Sequence, residues 1–558
     1  MKKARRIFCL ALCIVMCAGL LAACGSGGPQ PADSAPAAPS APASSAQPAP
    51  SSAPPPSPSS SNIFGEGGSV VIGGEETTEE TKYREALTVV VDQSTISVID
   101  PFSPGTVAGT KWAQKCYLSR LVNEINGEYI PMLAKEWKTD DWQHINFKLR
   151  DDVYFHNGEK FTADDVVYTV ERAKNSQGAL SFDFLNGIEK VEVVNDYEIN
   201  ITLVGVNVDF LYNLSQSHAG MVNRKACEAD PEEGAWIGTG PWVVVEFVPN
   251  EYVSYIRNEN YWGDLPQTKE LTLKYVANIP ARVMMLERDE IQFSLGLDPS
   301  DFPYLEESPQ FDTYKYVDNN PSYIAFNMND PICGDINFRK AIASLLIPDE
   351  LALACRNGYA MPESGGTFWG YATEFRNTDI PRIPHNIEKA KEYIGLSSYN
   401  GEPVEIVVAF ADKLIKSEWL QEQCKAIGVN IVIYQTDVAG MSAYATYANN
   451  QAQMVVHTGS WSNLAIASRS YLYPGAAGNR ASYSNDEVTA LLDLAPTVTD
   501  IVEREKIYKQ IQAIVAEDIP YICVYYLQHV AACQPGVAGM TLRSDSFHDF
   551  SYVYMIEQ

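Results

Sequence analysis

The chain has 558 residues, more than one ordinary domain holds, so two or three structural units are expected. Hydrophobic residues make up 46% of it and charged residues 20%, a globular composition that excludes a fibrous or wholly disordered protein. The formal net charge is −29. Such a surface repels phosphate groups, so no nucleic acid is expected as a partner, and any membrane attachment must be apolar or covalent.

The first 24 residues are typical of a lipoprotein signal peptide. Residues 1–6 are basic, and residues 7–21 form an apolar run that is shorter than the roughly 20 residues a membrane-spanning helix needs. The run ends in LAACG at 21–25, which resembles a bacterial lipobox. We therefore expect Cys24 to carry a diacylglycerol and to become the mature N-terminus, with a mature charge of −33 because four positive charges are removed. The alternative is an uncleaved anchor helix, which also exports the rest of the chain.

A segment rich in Pro, Ser and Ala follows the lipobox. Residues 22–62 contain no Val, Ile, Leu, Met, Phe, Tyr or Trp and hold 11 of the 33 prolines. Such a stretch cannot bury enough apolar surface to offset its ordering entropy. Residues 25–82 are therefore predicted to be a disordered tether, with a folded body that begins near Tyr83.

Short strands and helices are predicted through the first part of the body. Thr162 and Asp165 occupy the two positions of a capping box, which predicts a helix start, and Asn157-Gly158 predicts a turn. In chain order, the hydrophobic patterns predict a strand at 87–91, a helix at 110–122, a strand at 147–150, a helix from Thr162 through 174, hairpins at 191–203 and 241–257, and a strand at 271–276.

Beyond residue 320 the predicted helices and strands alternate, which favours an α/β lobe with parallel strands. In chain order, the patterns predict a strand at 323–328, helices at 337–346 and 387–394, a strand at 405–409, a helix with one face at 420–427, strands at 429–433 and 454–456, a helix at 507–515 that Pro520 stops, and a strand at 521–527.

Cysteine and histidine patterns give no sign of a metal site or a catalytic centre. Seven cysteines lie in the body, with wide spacings and no CxxC, so we expect most of them to be buried apolar residues, while disulfides stay open. The chain lacks GxSxG, SxxK, HExxH and GxxxxGK[ST], and its seven histidines show no helical pairing. No catalytic residue, no cofactor and no metal site are therefore predicted.

Several stretches carry a family resemblance. Residues 131–137 (PMLAKEW) and 147–166 (FKLRDDVYFHNGEKFTADDV) form one signature of more than 30 positions. Shorter matches follow in order at 238–241 (GTGP), 257–262 (RNENYW), 325–329 (AFNMN), 338–341 (FRKA), 388–391 (EKAK), 427–429 (IGV) and 517–520 (EDIP). With these motifs the chain resembles extracellular solute-binding proteins of family 5, the oligopeptide, dipeptide and nickel class that serves ABC importers.

The resemblance implies an α/β fold like that of type II periplasmic binding proteins, with two lobes, a hinge and an inserted third domain. Lobe I would comprise 83–121, 237–320 and 525–558. The inserted domain would be 122–236, and lobe II would be 321–524. Two crossings between the lobes would form the hinge, and a ligand would bind in the cleft between them.

The resemblance also implies ligand contacts. In peptide-binding relatives a Gly-Trp segment lines the cleft, and an Asp shortly after it pairs with the ligand's α-amino group. Here Ser462-Asn463-Leu464 follow Trp461, so the carboxylate is absent, and an ionic hydrogen bond of roughly 1.5–3 kcal/mol is lost. The residues predicted to contact a ligand are Gly459, Ser460, Trp461, Ser462, Asn463, His457, Tyr323, Phe368, Trp369, Phe102, Ser103 and Thr106. The alternatives are a core position for Trp461 and a structural role for His457, while His156 is expected to be a hydrogen-bonded turn residue and not a metal ligand.

These observations together predict a substrate-binding lipoprotein of an ABC importer. We expect a monomer, held by the Cys24 lipid on the outer face of a bacterial cell membrane, that captures a small solute and delivers it to a permease. A peptide-like solute is favoured. A ligand-sensing lipoprotein without transport and a tethered secreted hydrolase remain as alternatives.

Overall fold

The computed structural model describes residues 70–73, 81–91, 96–104, 108–125, 128–177, 179–461 and 463–557. These residues belong to one compact unit, 62–558. The predicted signal peptide, Cys24 and most of the predicted tether lie outside the described residues.

The helices are α1 (Ala108–Tyr117), α2 (Ala163–Lys174), α3 (Leu180–Leu185), α4 (Phe210–Ser215), α5 (Arg224–Ala229), α6 (Ile279–Glu287), α7 (Phe302–Glu307), α8 (Ile336–Ala343), α9 (Pro348–Arg356), α10 (Ile387–Leu396), α11 (Ala411–Lys425), α12 (Val438–Tyr444), α13 (Leu464–Leu472), α14 (Asp486–Leu494) and α15 (Ile501–Asp518). Short 3-10 helices lie at Ser217–Ala219, Glu233–Trp236 and Ala495–Thr497. The strands are β1 (Val70–Ile72), β2 (Ala86–Val90), β3 (Val122–Ile125), β4 (Glu128–Pro131), β5 (Ala134–Lys138), β6 (His144–Leu149), β7 (Ile188–Asn195), β8 (Glu198–Leu203), β9 (Trp242–Val248), β10 (Tyr252–Arg257), β11 (Glu270–Lys274), β12 (Phe293–Ser294), β13 (Asp312–Phe326), β14 (Ala360–Pro362), β15 (Val404–Val408), β16 (Ile431–Gln435), β17 (Ala445–Thr446), β18 (Asn449–Asn450), β19 (Met454–Thr458), β20 (Tyr521–Cys533), β21 (Val537–Ala538), β22 (Met540–Leu542) and β23 (Tyr554–Met555).

A mixed sheet of 11 strands forms the frame, with strand order β16-β15-β19-β13-β20-β12-β2-β11-β10-β9 and β14 paired to β20. At one end β15 runs parallel to both β16 and β19, as the alternating pattern predicts. Toward the other end β2 runs parallel to β11 and β12. The central pair, β13 and β20, is antiparallel.

Alternate residues of the sheet pack into cores on its two faces. In β13, Ile324 and Phe326 join one buried cluster while Tyr323 and Ala325 join another. In β2, Val89 and Val90 divide in the same way between two further clusters. Since successive side chains of a strand point to opposite faces, apolar runs such as these suit a sheet covered on both sides.

The two longest strands carry the chain from one half of the sheet to the other. Their antiparallel register shifts between Val317 and Pro321, where Asp318, Asn319 and Asn320 form a bulge opposite β20. Asn319 links both sides of this bulge: its N–H donates to the Ser544 carbonyl at 2.8 Å, and its side-chain oxygen accepts from the Ala372 N–H at 2.8 Å.

The family-like signature lies in a separate four-stranded antiparallel sheet, β5-β6-β8-β7, with α2 packed against β7. The predicted capping box is confirmed, because the Thr162 N–H donates to the Asp165 carboxylate at 3.0 Å at the start of α2. His156 is a hydrogen-bonded turn residue: one ring nitrogen lies 3.0 Å from the Gly240 carbonyl oxygen, and the other accepts from the Gly238 N–H at 3.3 Å.

Several sequence predictions are wrong in their extent, among them the strand predicted at 521–527, which runs to Cys533, and the helix predicted at 507–515, which spans Ile501–Asp518. The helix predicted to reach residue 122 ends at Tyr117, because the Arg120 and Leu121 carbonyls accept hydrogen bonds from the segment at 133–134. The predicted tether includes β1, whose apolar residues 70–72 pair with β22 and bury Ile72. Tyr323 does not open its strand, since β13 begins at Asp312.

The prediction for the body cysteines is confirmed. The described residues hold seven free thiols, six of them buried and Cys355 half-buried. They pack as small apolar side chains within the cores.

Gly238 offers a test of how closely the loop before β9 packs against the end of α1. A Cβ built on Gly238 would lie 1.9 Å from the Tyr117 carbonyl oxygen, so Gly238→Ala should lower the free energy of unfolding by about 1–3 kcal/mol. Chemical denaturation measures it. Gly187→Ala is the control, because its Cβ would meet no atom within 4 Å. Equal stability of the two variants would contradict the close contact.

Candidate functional site

A cavity of about 280 Å³ lies beside the bulge, between the two halves of the sheet. It is lined by Gly296, Leu297, Arg356, Phe410, Asp412, Lys413, His457, Thr458, Leu527, His529 and Val530. The first two residues follow β12 in one half, while most of the others come from strand ends and helix ends of the other half. The cavity is therefore an inter-lobe site, which we name the hinge cavity.

Strand direction explains why its polar residues meet. Strands β15 and β19 are parallel neighbours, so their carboxyl ends lie at the same edge of the sheet. Residues 410–413 follow β15 and begin α11, and His457 and Thr458 end β19. Arg356 ends α9 just before Asn357, whose φ of 50° turns the chain away from the helix.

Cations surround the only acidic residue that lines the hinge cavity within the described part of the chain. Lys413 forms an ion pair with Asp412 and is 4% exposed. Burial raises the pKa of the Asp412 carboxyl, but Lys413, Lys416 and Arg356 more than offset this, so its pKa lies below the ordinary value.

Lys416 lies one helical turn further along α11 and is fully buried. Its ammonium donates to the Ser322 hydroxyl and lies 4.6 Å from the centre of the Tyr525 ring. Burial, together with the charge of Lys413, lowers the pKa of Lys416 to about 7. A buried ammonium without a carboxylate of its own is costly, which explains why the pKa of Lys416 is lowered behind the cavity lining.

Three polar atoms on this wall have no hydrogen-bond partner among the described residues. They are Nε of Arg356, Nδ1 of His457 and Oγ1 of Thr458. Most buried polar groups in proteins are paired, so three unpaired groups in one cavity indicate a place for a polar ligand. Burial lowers the pKa of His457 to about 3, with nearby cations adding to the effect, so its ring is neutral at pH 7.

An aromatic ring closes the cavity on one side. Phe410 stacks on His457 with ring centres 6.0 Å apart and remains 41% exposed. On the other side, the ring of His529 is held by the Asp318 carboxylate at 2.8 Å, so the bulge and the cavity share this contact.

The aromatic residues predicted to line the cleft form a buried cluster instead of open walls. Tyr323, Trp369 and Trp461 are fully buried, and Phe368 is 3% exposed. Trp461 packs on Trp369 at 4.6 Å and stacks on Tyr471 at 5.8 Å. Its indole Nε1 has no partner among the described residues. The structure thus brings these four residues together beside His457, and their contact with a solute stays a prediction.

Three other predicted ligand contacts near Trp461 form hydrogen bonds within the protein. The Gly459 N–H donates to the Pro321 carbonyl at 2.8 Å, and the Ser460 N–H donates to the Tyr471 hydroxyl. Asn463 caps α13 by accepting from the Ile466 N–H at 2.8 Å. Ser462 lies outside the described residues.

The predicted loop after β2 is not part of the hinge cavity. Phe102 is buried under the Arg172 guanidinium at 4.5 Å, and Ser103 donates to the Asp100 carboxylate at 3.3 Å. Thr106 lies outside the described residues. Phe102 lines a different concavity, next to the end of α2, and Ser103 is not among the residues that line it.

Sequence reasoning missed Arg356, Phe410, Asp412, Lys413 and Thr458. The rule that points to His457, the carboxyl end of a strand in an open α/β sheet, applies equally to the residues after β15. Arg356 gave no such signal, because its approach depends on how α9 packs against α11.

The long strands β13 and β20 join the two halves of the sheet, and a polar cavity lies beside them. This arrangement is typical of a hinged binding protein. The family model of the bacterial extracellular solute-binding proteins, family 5 Middle, matches residues 128–483. The chain therefore belongs to this family of solute-binding proteins, and it has their fold: α/β, with two lobes, a hinge and an inserted third domain.

Individual relatives cover most of the chain. The heme-binding protein A of Haemophilus influenzae is 26% identical over 493 residues, which are 78% of this chain and 87% of the relative. The nickel-binding periplasmic protein of Escherichia coli is 24% identical over 471 residues, 77% and 87% of the two chains. The solved ABC transporter substrate binding protein CtaP of Listeria monocytogenes is 25% identical with a TM-score of 0.76, and the match covers 85% of this chain and 100% of that one.

The described residues form neither a membrane-spanning helix nor a metal-binding cluster. None of the helices they form is long and apolar enough to cross a bilayer. No group of three or more His, Cys, Asp and Glu side chains within these ranges is arranged to hold a metal ion.

The low pKa of Lys416 gives a pH-dependent stability. Between about pH 7 and the ordinary pKa of 10.5, the unfolded chain binds a proton that the folded chain lacks. The free energy of unfolding should therefore rise with pH in this window, by up to about 1.4 kcal/mol per pH unit from this group. Lys416→Met should lose that slope in denaturation curves at pH 7, 8 and 9. The exposed control Lys389→Met should keep it, and an unchanged slope in Lys416→Met would contradict the assignment.

Proposed function

We propose that this protein is the lipid-anchored receptor of an ABC importer, which captures a small solute in its inter-lobe cleft and hands it to a membrane permease. The observation that carries the proposal is the family match over residues 128–483. The relative with a TM-score of 0.76, described as an ABC transporter substrate binding protein, supports the transport role. The hinge cavity supplies the place of capture, and no catalytic step is part of the proposal.

The anchor is the cysteine of the lipobox-like sequence. Several acyl chains on one cysteine hold a protein at a membrane far better than a single chain does. The Pro-rich segment after Cys24 then acts as a spacer that lets the receptor reach the permease from the outer face of the cell membrane.

Closure of the lobes depends on contacts across the cleft. The Val208 N–H donates to the Pro496 carbonyl at 3.1 Å, and Arg504 of α15 lies 3.3 Å from the Asp209 carboxylate. Burial raises the pKa of Asp209, and Arg504 lowers it in part. These contacts join the proposed inserted domain to the proposed lobe II, and in this proposal they stabilise the closed arrangement of the lobes.

A binding screen tests the capture function. The full chain, purified in detergent, is titrated calorimetrically with short peptides, sugars and metal chelates, and residues 62–558 are followed by small-angle scattering with each. Heat of binding with a smaller radius of gyration is expected for at least one solute. Absence of both for every solute, or chemical conversion of a bound solute, would overturn the proposal.

The ion pair across the cleft should control closure. Asp209→Arg places two cations together and should give a larger radius of gyration and at least ten-fold weaker solute binding, a loss of about 1.4 kcal/mol. The swapped pair Asp209→Arg with Arg504→Asp should recover both. Glu189→Arg, an exposed change on the same domain, is the control. A swapped pair that behaves like the single variant would contradict a role for this contact.

Lipidation is tested by metabolic labelling with palmitate in the bacterium that makes the protein. Cys24→Ala should abolish the label, because the acyl chains have no other attachment site. Cys17→Ala, in the same apolar segment, should keep it. The palmitate label is measured instead of membrane attachment, because the uncleaved apolar run still holds the variant at the membrane. A labelled Cys24→Ala protein would refute Cys24 as the lipid anchor.

A further inference from the structure

We propose that the solute held in the hinge cavity is a small organic acid, with its carboxylate against Arg356 and the cationic start of α11. This inference rests on the proposed function, since it names the class of solute that the cleft takes.

The charges around the cavity favour an anion. Arg356 and Lys413 both act on the same carboxylate, Asp412, and Arg480 adds a further positive charge near His457. Asp412 is occupied by its ion pair with Lys413.

The other nearby carboxylate is also occupied. Asp318 accepts from the Asn320 N–H and side-chain amide at 3.0 Å each, and it holds the ring of His529. A cationic solute would have to break one of these pairs, whereas an anion completes the charge balance without rearrangement. The chain as a whole has a net charge of −29, so the positive charge around the cavity is opposite in sign to that of the protein.

The unpaired groups have the right chemistry for a carboxylate. Arg356 Nε carries a hydrogen that it must donate, and the Thr458 hydroxyl can donate as well. Hydrogen bonds from a guanidinium to a carboxylate are short and strong, and they satisfy buried donors that otherwise cost roughly 1–3 kcal/mol each. The neutral ring of His457 supplies either a donor or an acceptor for a second polar group of the solute.

The remaining walls define the body of the solute. Leu297, Leu527 and Val530 are apolar, and the exposed face of Phe410 lies at the margin. A volume of about 280 Å³ is at the lower end of ligand pockets, which run from roughly 300 to 1,000 Å³. The cavity therefore suits an acid of dipeptide size or smaller with an apolar body. Among the described residues that line it, no carboxylate is free for an α-amino group, in agreement with the absence of an acidic residue just after Trp461.

Matched acid and amide pairs test the inference. The full chain in detergent is titrated calorimetrically with N-acetylalanine, N-acetylphenylalanine and N-acetylalanylalanine, and with the carboxamide of each. Maltose and alanylalanine amide serve as neutral and cationic probes. We expect at least one acid to bind, and to bind at least ten-fold more tightly than its carboxamide.

Substitutions of cavity residues test whether the acid binds in the hinge cavity. Arg356→Gln should weaken binding of the acid at least ten-fold and remove the preference over the carboxamide. Thr458→Val, which keeps the side-chain shape, should weaken acid binding several-fold. Arg288→Gln, an exposed arginine remote from the cavity, should change neither. Circular dichroism checks that each variant is folded.

The outcomes separate this inference from the function on which it rests. Tight binding of maltose or alanylalanine amide, with lobe closure and no preference for acids, would overturn the organic acid and leave the receptor function standing. A preference for acids that survives in Arg356→Gln and Thr458→Val would overturn the assigned site. Failure of these probes and of the whole solute screen would overturn the receptor function and this inference with it.

Discussion

The antiparallel pairing of β13 with β20 is the constraint on which the rest of the structure depends. Strands of 15 and 13 residues run through both halves of one sheet, so each lobe is held to the other by a ladder of backbone hydrogen bonds and by two covalent crossings. The register of this ladder shifts at the bulge of residues 318–320 and again between Ser322 and Tyr323. Since bulges bend a strand and increase its twist, we expect relative movement of the lobes to be concentrated along this stretch of β13.

This arrangement explains why the polar cavity lies where it does. Leu527, His529 and Val530 belong to β20 itself, so the hinge strand forms part of the cavity wall. The parallel ends of β15 and β19 point at the same place from lobe II. A solute in this position touches residues whose spacing depends on the lobe angle, which couples its binding to the hinge.

The sequence predicts the frame better than the site. Capping residues such as Thr162 and Asp165 act over one turn of helix, and the parallel strands of lobe II follow from local alternation, so both are readable from the chain. The long reach of β13 was missed, because its first residues alternate weakly and gain their order from β20, more than 200 positions away. The strand β1 was missed for a different reason: its three apolar residues follow a long polar segment, and only β22 supplies their partner.

The candidate site was harder to predict for a physical reason. Trp461 and Trp369 are aromatic residues next to glycines, a pattern that suits a ligand wall as well as a core, and the structure buries them in contact with each other. The sequence gives no sign that the cations lie together, because Arg356 and Lys413 are far apart in the chain and each alone resembles a surface residue. Only the packing of α9 against α11 brings them to one cavity.

Binding and closure are linked through the cost of the empty cavity. The polar groups of Arg356, His457 and Thr458 are buried without a hydrogen-bond partner among the described residues, at a cost of roughly 1–3 kcal/mol for each such group. The contacts at Asp209 and Val208 offset only part of this cost, because a single ion pair and a single hydrogen bond contribute about 1 kcal/mol each. A solute that supplies the missing partners removes the penalty from the closed state alone. Its differential affinity for that state is then the free energy that shifts the lobes, so the same polar atoms that select the solute also close the receptor on it.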